Sequence, residues 1–323
     1  MLDIFSMLLV VLGLSLFEVI NSIDNAVINA EVLGKVSARA KKWFLLWGML
    51  IAVFVVRGLL PLAIIWVTNP SLGMVGAFTA TFSSDASVVE AMEKSAPVLL
   101  SGAGIFLVFL FFHWLFLEPK VMGLHAEKFF VRQGVWFYAA VSIILAAVVW
   151  FALKQNPLMA FGAVVGSTAF FITHGFKQNA EKMEHEMLHK DSGMGDISKL
   201  LYLEVIDASF SIDGVLGAFA FTFSIPLILI GNGIGALMVR QLTIGNIERV
   251  KKYKLLKNGA MYSILFLGGI MLADSFGADI PAWLSPVITF LIIGYFFYRS
   301  KKGMDKSGEL VIGGNLDSGE KAG

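Results

Sequence analysis

Hydrophobic residues in this chain fall in long, nearly unbroken runs, without the strict alternation of a half-buried strand or the single stripe of a surface helix. Runs lie near residues 4–33, 43–68, 97–117, 134–153, 157–176, 200–222, 226–246, 258–273 and 281–298. A helix of around 20 apolar residues crosses a hydrocarbon layer of about 30 Å. The pattern therefore predicts an all-α fold, a polytopic transmembrane helical bundle of about nine spans. Polar or turn-forming breaks set the boundaries, among them Thr68-Asn69-Pro70, Gln155-Asn156-Pro157, Ser224-Ile225-Pro226 and the stretch from Gly277 to Pro281. The first run follows Met1-Leu2-Asp3 with no basic leader, which reads as a spanning helix and not as a cleaved signal.

The polar residues between the runs are not evenly shared. Alternate connections carry Lys35/Arg39/Lys41/Lys42, Lys120/Lys128/Arg132, Lys177/Lys182/Lys190/Lys199 and Arg249/Lys251/Lys252/Lys254/Lys257, and the tail carries Arg299/Lys301/Lys302. The intervening connections offer only Lys94 and Lys154. Since basic residues collect on the cytoplasmic side, nine spans with the N-terminus outside and the C-terminus cytoplasmic fit this alternation, in a multi-pass protein of the cytoplasmic (inner) membrane. The chain then divides into a first membrane half over 1–153, the fifth span with a charged cytoplasmic loop over 154–199, a second membrane half over 200–299, and a Gly-, Lys- and Asp-rich tail over 300–323 whose composition reads as disordered. Residues 69–96 mix small and apolar types, which fits an interfacial or re-entrant segment. In the 177–199 loop, Glu181, His185 and His189 recur at four-residue spacing; a solvated helix with incidental histidines explains them more simply than a metal site.

Composition agrees with the bilayer as the main solvent: 57% of residues are hydrophobic and 15% charged, and mean hydropathy is +0.77. The net charge of +1 gives no reason to expect nucleic acid, and the absence of cysteine excludes disulfides, thiolate catalysis and Cys-ligated zinc.

Against that apolar background two segments stand out. The first run contains Glu18-Val19-Ile20-Asn21-Ser22-Ile23-Asp24-Asn25, and the sixth contains Glu204-Val205-Ile206-Asp207-Ala208-Ser209-Phe210-Ser211-Ile212-Asp213-Gly214. Aligned on Ser-Ile-Asp, both read acid, five residues, acid. An acidic residue at the centre of a spanning helix costs roughly 2.5–3.5 kcal/mol on insertion scales, so several of them imply a compensating partner. Helix-to-helix glue is normally Ser, Thr, Asn or Gln, whereas repeated carboxylates with few nearby bases point to a bound cation. On a helical wheel Glu18, Asn21, Ser22, Asn25 and Asn29 form one stripe, and Glu204, Asp207, Ser211 and Gly214 form another. Asp24 and Asp213 fall about 120° from their stripes, so either the helices unwind near Ser-Ile-Asp or these acids face another neighbour.

With five spans between them the two segments run in opposite directions, as in an inverted structural repeat with its site at the bilayer centre. That arrangement sets Asp24 near the depth of Asp207 and Glu18 near that of Asp213, in tiers about 9 Å apart. The expected ligands are Glu18, Asn21, Asp24, Asn25, Glu204, Asp207, Ser211 and Asp213. Oxygen donors of this kind suit hard divalent ions such as manganese, magnesium or calcium, and clustered carboxylates share protons, which makes metal-for-proton exchange natural chemistry. Arg57, inside the second run, is the expected counter-charge. His113, Trp114 and Glu118 near the end of the third run, and His174 at the end of the fifth, read first as interfacial anchors.

These residues together resemble the TerC family of integral membrane proteins, within the LysE-type transporter superfamily. Glu18 through Asn25 is similar to that family's first-helix signature, and Asp207 through Gly214 to its second motif. Arg57, and the order of Arg240, a basic loop and a Gly-rich helix within Gly231 to Leu272, add to the likeness. Gly214 stands where many members have Ser or Asn, and the 69–96 and 177–199 segments are longer than the family's loops. The resemblance implies a cytoplasmic-membrane protein linked to tellurium resistance and, for several members, manganese export.

The expectation drawn from both lines is an exporter of a divalent metal cation, manganese foremost, with the metal as substrate, no cofactor, and the lipid bilayer as surroundings. Two alternatives stay open: a tellurium-resistance or stress-response scaffold docking a soluble stress-protein partner through its basic loops, and an exporter of amino acids or small organic solutes. A homo-oligomer is compatible with each. An enzyme is not expected, since no His-Glu-x-x-His or Gly-x-Ser-x-Gly motif occurs in the spans.

Overall fold

The structure, a computed structural model, describes residues 4–48, 51, 57–68, 70, 73, 75–76, 86–189, 195–243, 250 and 252–316. All regular structure among them is helical. In chain order the helices are α1 (Ile4–Asn21), α2 (Ile23–Leu33), α3 (Ala38–Trp43), α4 (Arg57–Thr68), α5 (Ala86–Leu117), α6 (Glu127–Arg132), α7 (Phe137–Gln155), α8 (Pro157–His189), α9 (Asp196–Ala218), α10 (Ile225–Gln241), α11 (Leu256–Ser275) and α12 (Leu284–Leu316).

Among the described residues five helical stretches are long and apolar enough to cross a membrane: Ile4–Asn21, Lys94–Leu117, Gly134–Gln155, Pro157–Asn179 and Leu256–Ser275, with Ile225–Gln241 a shorter apolar helix. The chain is a helical membrane protein. Three other expected spans are not among them. The run at 43–68 includes residues outside the described set; α9 is diluted by its own acids; and α12 ends its apolar stretch at Arg299 and Lys301. Of the 69–96 segment, residues 86–96 form the first turns of α5, and residues 69, 71–72, 74 and 77–85 lie outside the described residues. Helix α12 continues to Leu316, past residue 300, since a helix already nucleated in the span extends without a new nucleation cost.

Helix α5 is the axis of the bundle. Over Lys94–Leu117 it is 83% buried, against 17% for Gly134–Gln155 on α7, so α5 is enclosed by protein while α7 turns its apolar surface outward. The main core gathers Phe106, Phe109 and Trp114 of α5, Phe170 of α8, Ile264 and Leu267 of α11, and Leu14 and Phe17 of α1. A smaller core of Val32, Leu33, Phe44, Leu200 and Leu203 joins α2 to the start of α9.

Two crossings bring backbones into contact through glycines four residues apart, the spacing that lets membrane helices pack without intervening side chains. Gly162 and Gly166 of α8 sit on Gly102 and Val98 of α5. Gly231 and Gly235 of α10 sit on Leu14, Ser15 and Glu18 of α1, where the Ser15 hydroxyl donates to the Val11 carbonyl at 2.8 Å and to that of Gly231 at 3.0 Å.

Candidate site at the acid-bearing helices

The first acid-bearing segment is jointed. Helix α1 ends at Asn21 and α2 starts at Ile23, with Ser22 between them at φ −94°, ψ 3°. Hydrogen bonding is not lost there: Ser22 N donates to Glu18 O at 3.0 Å and Ala26 N to Ser22 O at 2.9 Å. The joint is a kink and not an unwound stretch. Ser22 donates its hydroxyl to Glu18 Oε1 at 2.6 Å, so the polar side chain at the joint is satisfied within its own turn. The second segment behaves differently, since α9 runs unbroken from Asp196 to Ala218.

Glu18 is fully enclosed, at 1% exposure. A Cβ added at Gly214 of α9 would lie 3.3 Å from Glu18 Oε2 and 3.6 Å from Asn21 Nδ2, and one at Gly235 of α10 would lie 2.6 Å from Glu18 Cβ. The carboxylate is thus sandwiched between two glycine-bearing helices, which admit it because they lack side chains at those points. Seven residues further along, Asn25 donates from Nδ2 to Asp207 Oδ1 at 3.4 Å. Glu18 and Asn25 are seven positions apart on one segment, and Asp207 and Gly214 seven apart on the other, so the two segments run antiparallel with matched register.

Among the described residues, two acceptor atoms here lack partners. Asn25 Oδ1 and Glu204 Oε1 are buried with no hydrogen bond, and Glu204 Oε1 is pressed against Gly48 at the end of the π-helical turn Phe44–Gly48. A buried oxygen without a donor costs about 1–3 kcal/mol, an energy that a cation or proton would recover.

Asp213 lies apart from this arrangement. It is buried, and the charges acting on it come from Lys177 and Glu118 at the basic end of α8 and α5. Because α9 does not unwind, the off-stripe acid faces a different neighbour. Asp24 is the second residue of α2, Ser211 lies on α9 and Arg57 is the first residue of α4; their side chains, like those of Glu181, His185 and His189, lie outside the described residues. The structure thus brings together Glu18 with Asn21 and Ser22 against Gly214, and Asn25 with Asp207. Among the described residues no group of three or more His, Asp or Glu is gathered as a metal cage.

Three buried polar features escape a reading of the sequence. Asn232 of α10, beside Gly231, is 1% exposed and, among the described residues, neither amide atom has a partner; a lone Asn inside an apolar run was the available signal. Glu127, at the start of α6, is completely buried and accepts from Gly123 N at 2.7 Å, Asn258 Nδ2 at 3.1 Å and Tyr262 Oη at 3.2 Å. In the sequence it looks like one more charge in a basic loop. Lys120 donates to the carbonyls of Trp114 and, at 2.6 Å, Leu115, closing the C-terminus of α5, and burial pushes its ammonium down to about 8. A hollow of about 680 Å³ between Pro97, Asn156, Asp274 and Asp279 lies at other connections and includes none of the expected ligands.

Residues 23–303 match the family described as "Protein of unknown function (DUF475)". The chain belongs to the DUF475 family. That match takes in the whole second acid-bearing segment of this DUF475 member and, of the first, only Ile23, Asp24 and Asn25, and it covers α2 through α11. No curated protein and no solved structure matches the chain.

Proposed function

We propose that this protein is a secondary transporter that exports a divalent metal cation, manganese foremost, across the cytoplasmic membrane in exchange for protons. The observation that carries the reading is the antiparallel meeting of two acid-bearing helices: Glu18 enclosed against Gly214, and Asn25 joined to Asp207, with the oxygens of Asn25 and Glu204 left without donors. Carboxylate and amide oxygens are the donors that hard divalent cations prefer. A carboxylate buried beside other acids also takes up a proton more readily, so metal leaving the site is replaced by protons without a net charge stranded in lipid.

The matched register supports an inverted repeat of nine spans, N-terminus outside and C-terminus cytoplasmic, in which Asp24 completes the ligand set with Ser211, Asp213 acts from outside that set, and Arg57 balances the site when no metal is bound. The resemblance of Glu18–Asn25 and Asp207–Gly214 to the TerC motifs supports manganese as substrate. The test is uptake of manganese into inside-out vesicles containing the protein or its Glu18→Gln, Asp24→Asn, Asp207→Asn or Asp213→Asn variant, each confirmed as folded by its elution in detergent. Uptake lowered at least about tenfold in Glu18→Gln and Asp207→Asn is expected, the loss of one charged ligand being worth more than about 1.4 kcal/mol. Unchanged flux in all four overturns the mechanism.

A further inference from the structure

A second cluster of titratable groups lies at the basic ends of α5, α8 and α11, with His113 buried and Glu118, His174 and Lys257 half-buried around it. The imidazole rings of His113 on α5 and His174 on α8 lie with centroids 3.8 Å apart, inclined by 53°. Aromatic rings enclose them: Phe170 stacks on His174 at 5.7 Å, nearly parallel, and Phe137 meets His113 edge-on at 5.5 Å. Beyond the rings the surroundings are charged. His113 Nδ1 stands 3.5 Å from Glu118 Oε1, and the other carboxylate oxygen of Glu118 holds Lys257 Nζ of α11 at 3.1 Å. At that distance the approach of Nδ1 to Glu118 is a long, chiefly electrostatic contact. On the far ring, Gln178 Nε2 lies 3.0 Å from His174 Nε2. With the amide assigned this way Gln178 donates, and Nε2 of a neutral His174 accepts.

We propose that His113 and His174 form a proton-binding site, the two imidazoles sharing a single proton held against Glu118. Two imidazolium rings at this separation repel, so the pair takes one proton and not two; its titration belongs to the pair. The groups that face it are Glu118 beside α5, Lys177 and Gln178 of α8, and Lys257 of α11; Asp213 of α9 lies further off, within electrostatic reach of Glu118 and Lys177. Helix α7 contributes only the ring of Phe137. A pair that served only as packing would have no need of a carboxylate at 3.5 Å.

Proton binding itself stands on this geometry; that the proton is the one exchanged for metal rests on the transport reading above. The experiment is a pH titration, from about 5 to about 9, of histidine-labelled protein in detergent by NMR, with resonances assigned through His113→Gln and His174→Gln. The expected result is uptake of one proton by the pair, a shift of about one unit or more in the midpoint of each imidazole when the other is replaced, and a further shift in Glu118→Gln. The midpoint of His125 should not move. Independent titration of the two rings, with midpoints indifferent to each other and to Glu118→Gln, overturns the proposal. Manganese flux in the same variants separates the two readings: coupled titration in a protein that moves no manganese would leave the proton site standing and sink the transporter, and metal flux without coupling would do the reverse.

Discussion

Replacing Gly166 with alanine isolates what the α5/α8 crossing is worth. The new Cβ would lie 1.9 Å from the Gly102 carbonyl oxygen, 2.6 Å from its carbon and 2.8 Å from its Cα, all backbone atoms that no rotamer change can move. Ordinary contact begins near 3.4 Å, so the axes must part locally by about 1.5 Å. Such overpacking costs about 1–3 kcal/mol. Parting the helices also stretches the hydrogen bond from Ser101 Oγ to Met159 O, now 2.9 Å, and opens the edge-on contacts of Phe106 and Phe109 with Phe170. Those losses add about 1–2 kcal/mol, placing the total near 3 kcal/mol. Thermal unfolding in detergent should show the midpoint lowered by several degrees. Gly175, on the same helix with nothing within 4 Å of an added Cβ, is the matched control, and its alanine variant should be as stable as the parent or more so by about 0.5–1 kcal/mol. A Gly166→Ala protein that unfolds at or above the parent temperature would refute the close crossing.

Glu127→Ala removes the acceptor shared by Gly123 N, Asn258 and Tyr262, and should destabilise by about 1–3 kcal/mol, measured by chemical denaturation. Burial pushes the Glu118 carboxyl up, but the approach of His113 and the charges of Lys257 and Lys177 outweigh it and hold it well below the usual glutamate range. A depressed carboxyl contributes stability in full above its unfolded value, near 4.5, that is lost as pH falls towards its folded value; Lys257→Met should accordingly shrink the acid-labile part of stability, read as a smaller drop in melting temperature between about pH 6 and about pH 3. Lys120 has the opposite sense: its folded value near 8 lies below its unfolded 10.5, so its cost is present below pH 8 and relieved as pH rises from 8 to 10.5. Lys120→Met should flatten stability across that window.

Much of the architecture was readable because lipid imposes one rule, that a spanning backbone satisfies itself as helix, and long apolar runs announce it. The same rule explains where reading the sequence falls short. Helix α9 is recognisable by Glu204, Asp207 and Asp213, yet those acids lower its apolarity below that of an independent span. The two polar stripes were legible from helical spacing, and Asn25 and Asp207 do lie on them. Which atoms meet across 182 positions is set by packing, and periodicity carries no information on it. The off-stripe position of Asp213 gave a choice between unwinding and another neighbour; the unbroken α9 and the charges of Glu118 and Lys177 select the neighbour. His113 and His174 each looked like an interfacial anchor, because a ring-to-ring approach of 3.8 Å depends on the α5/α8 crossing and leaves no trace in either segment alone. The glycine pairs at 162/166 and 231/235 were visible as spacing, but only the clash of a Cβ with backbone shows that they set interhelical distance.

The acids of α9 also bear on how the chain is made. Near the bilayer centre each carries an insertion penalty of about 2.5–3.5 kcal/mol, so α9 is a poor candidate for release into lipid by itself. Its relief comes from residues synthesised long before it: Asn25 on α2, which donates to Asp207, and Lys177 on α8, the positive charge that acts on Asp213. Biogenesis of this protein is therefore ordered, with the strongly apolar helices α1, α5, α7 and α8 laid down first as a receptacle and α9 admitted only once that receptacle exists.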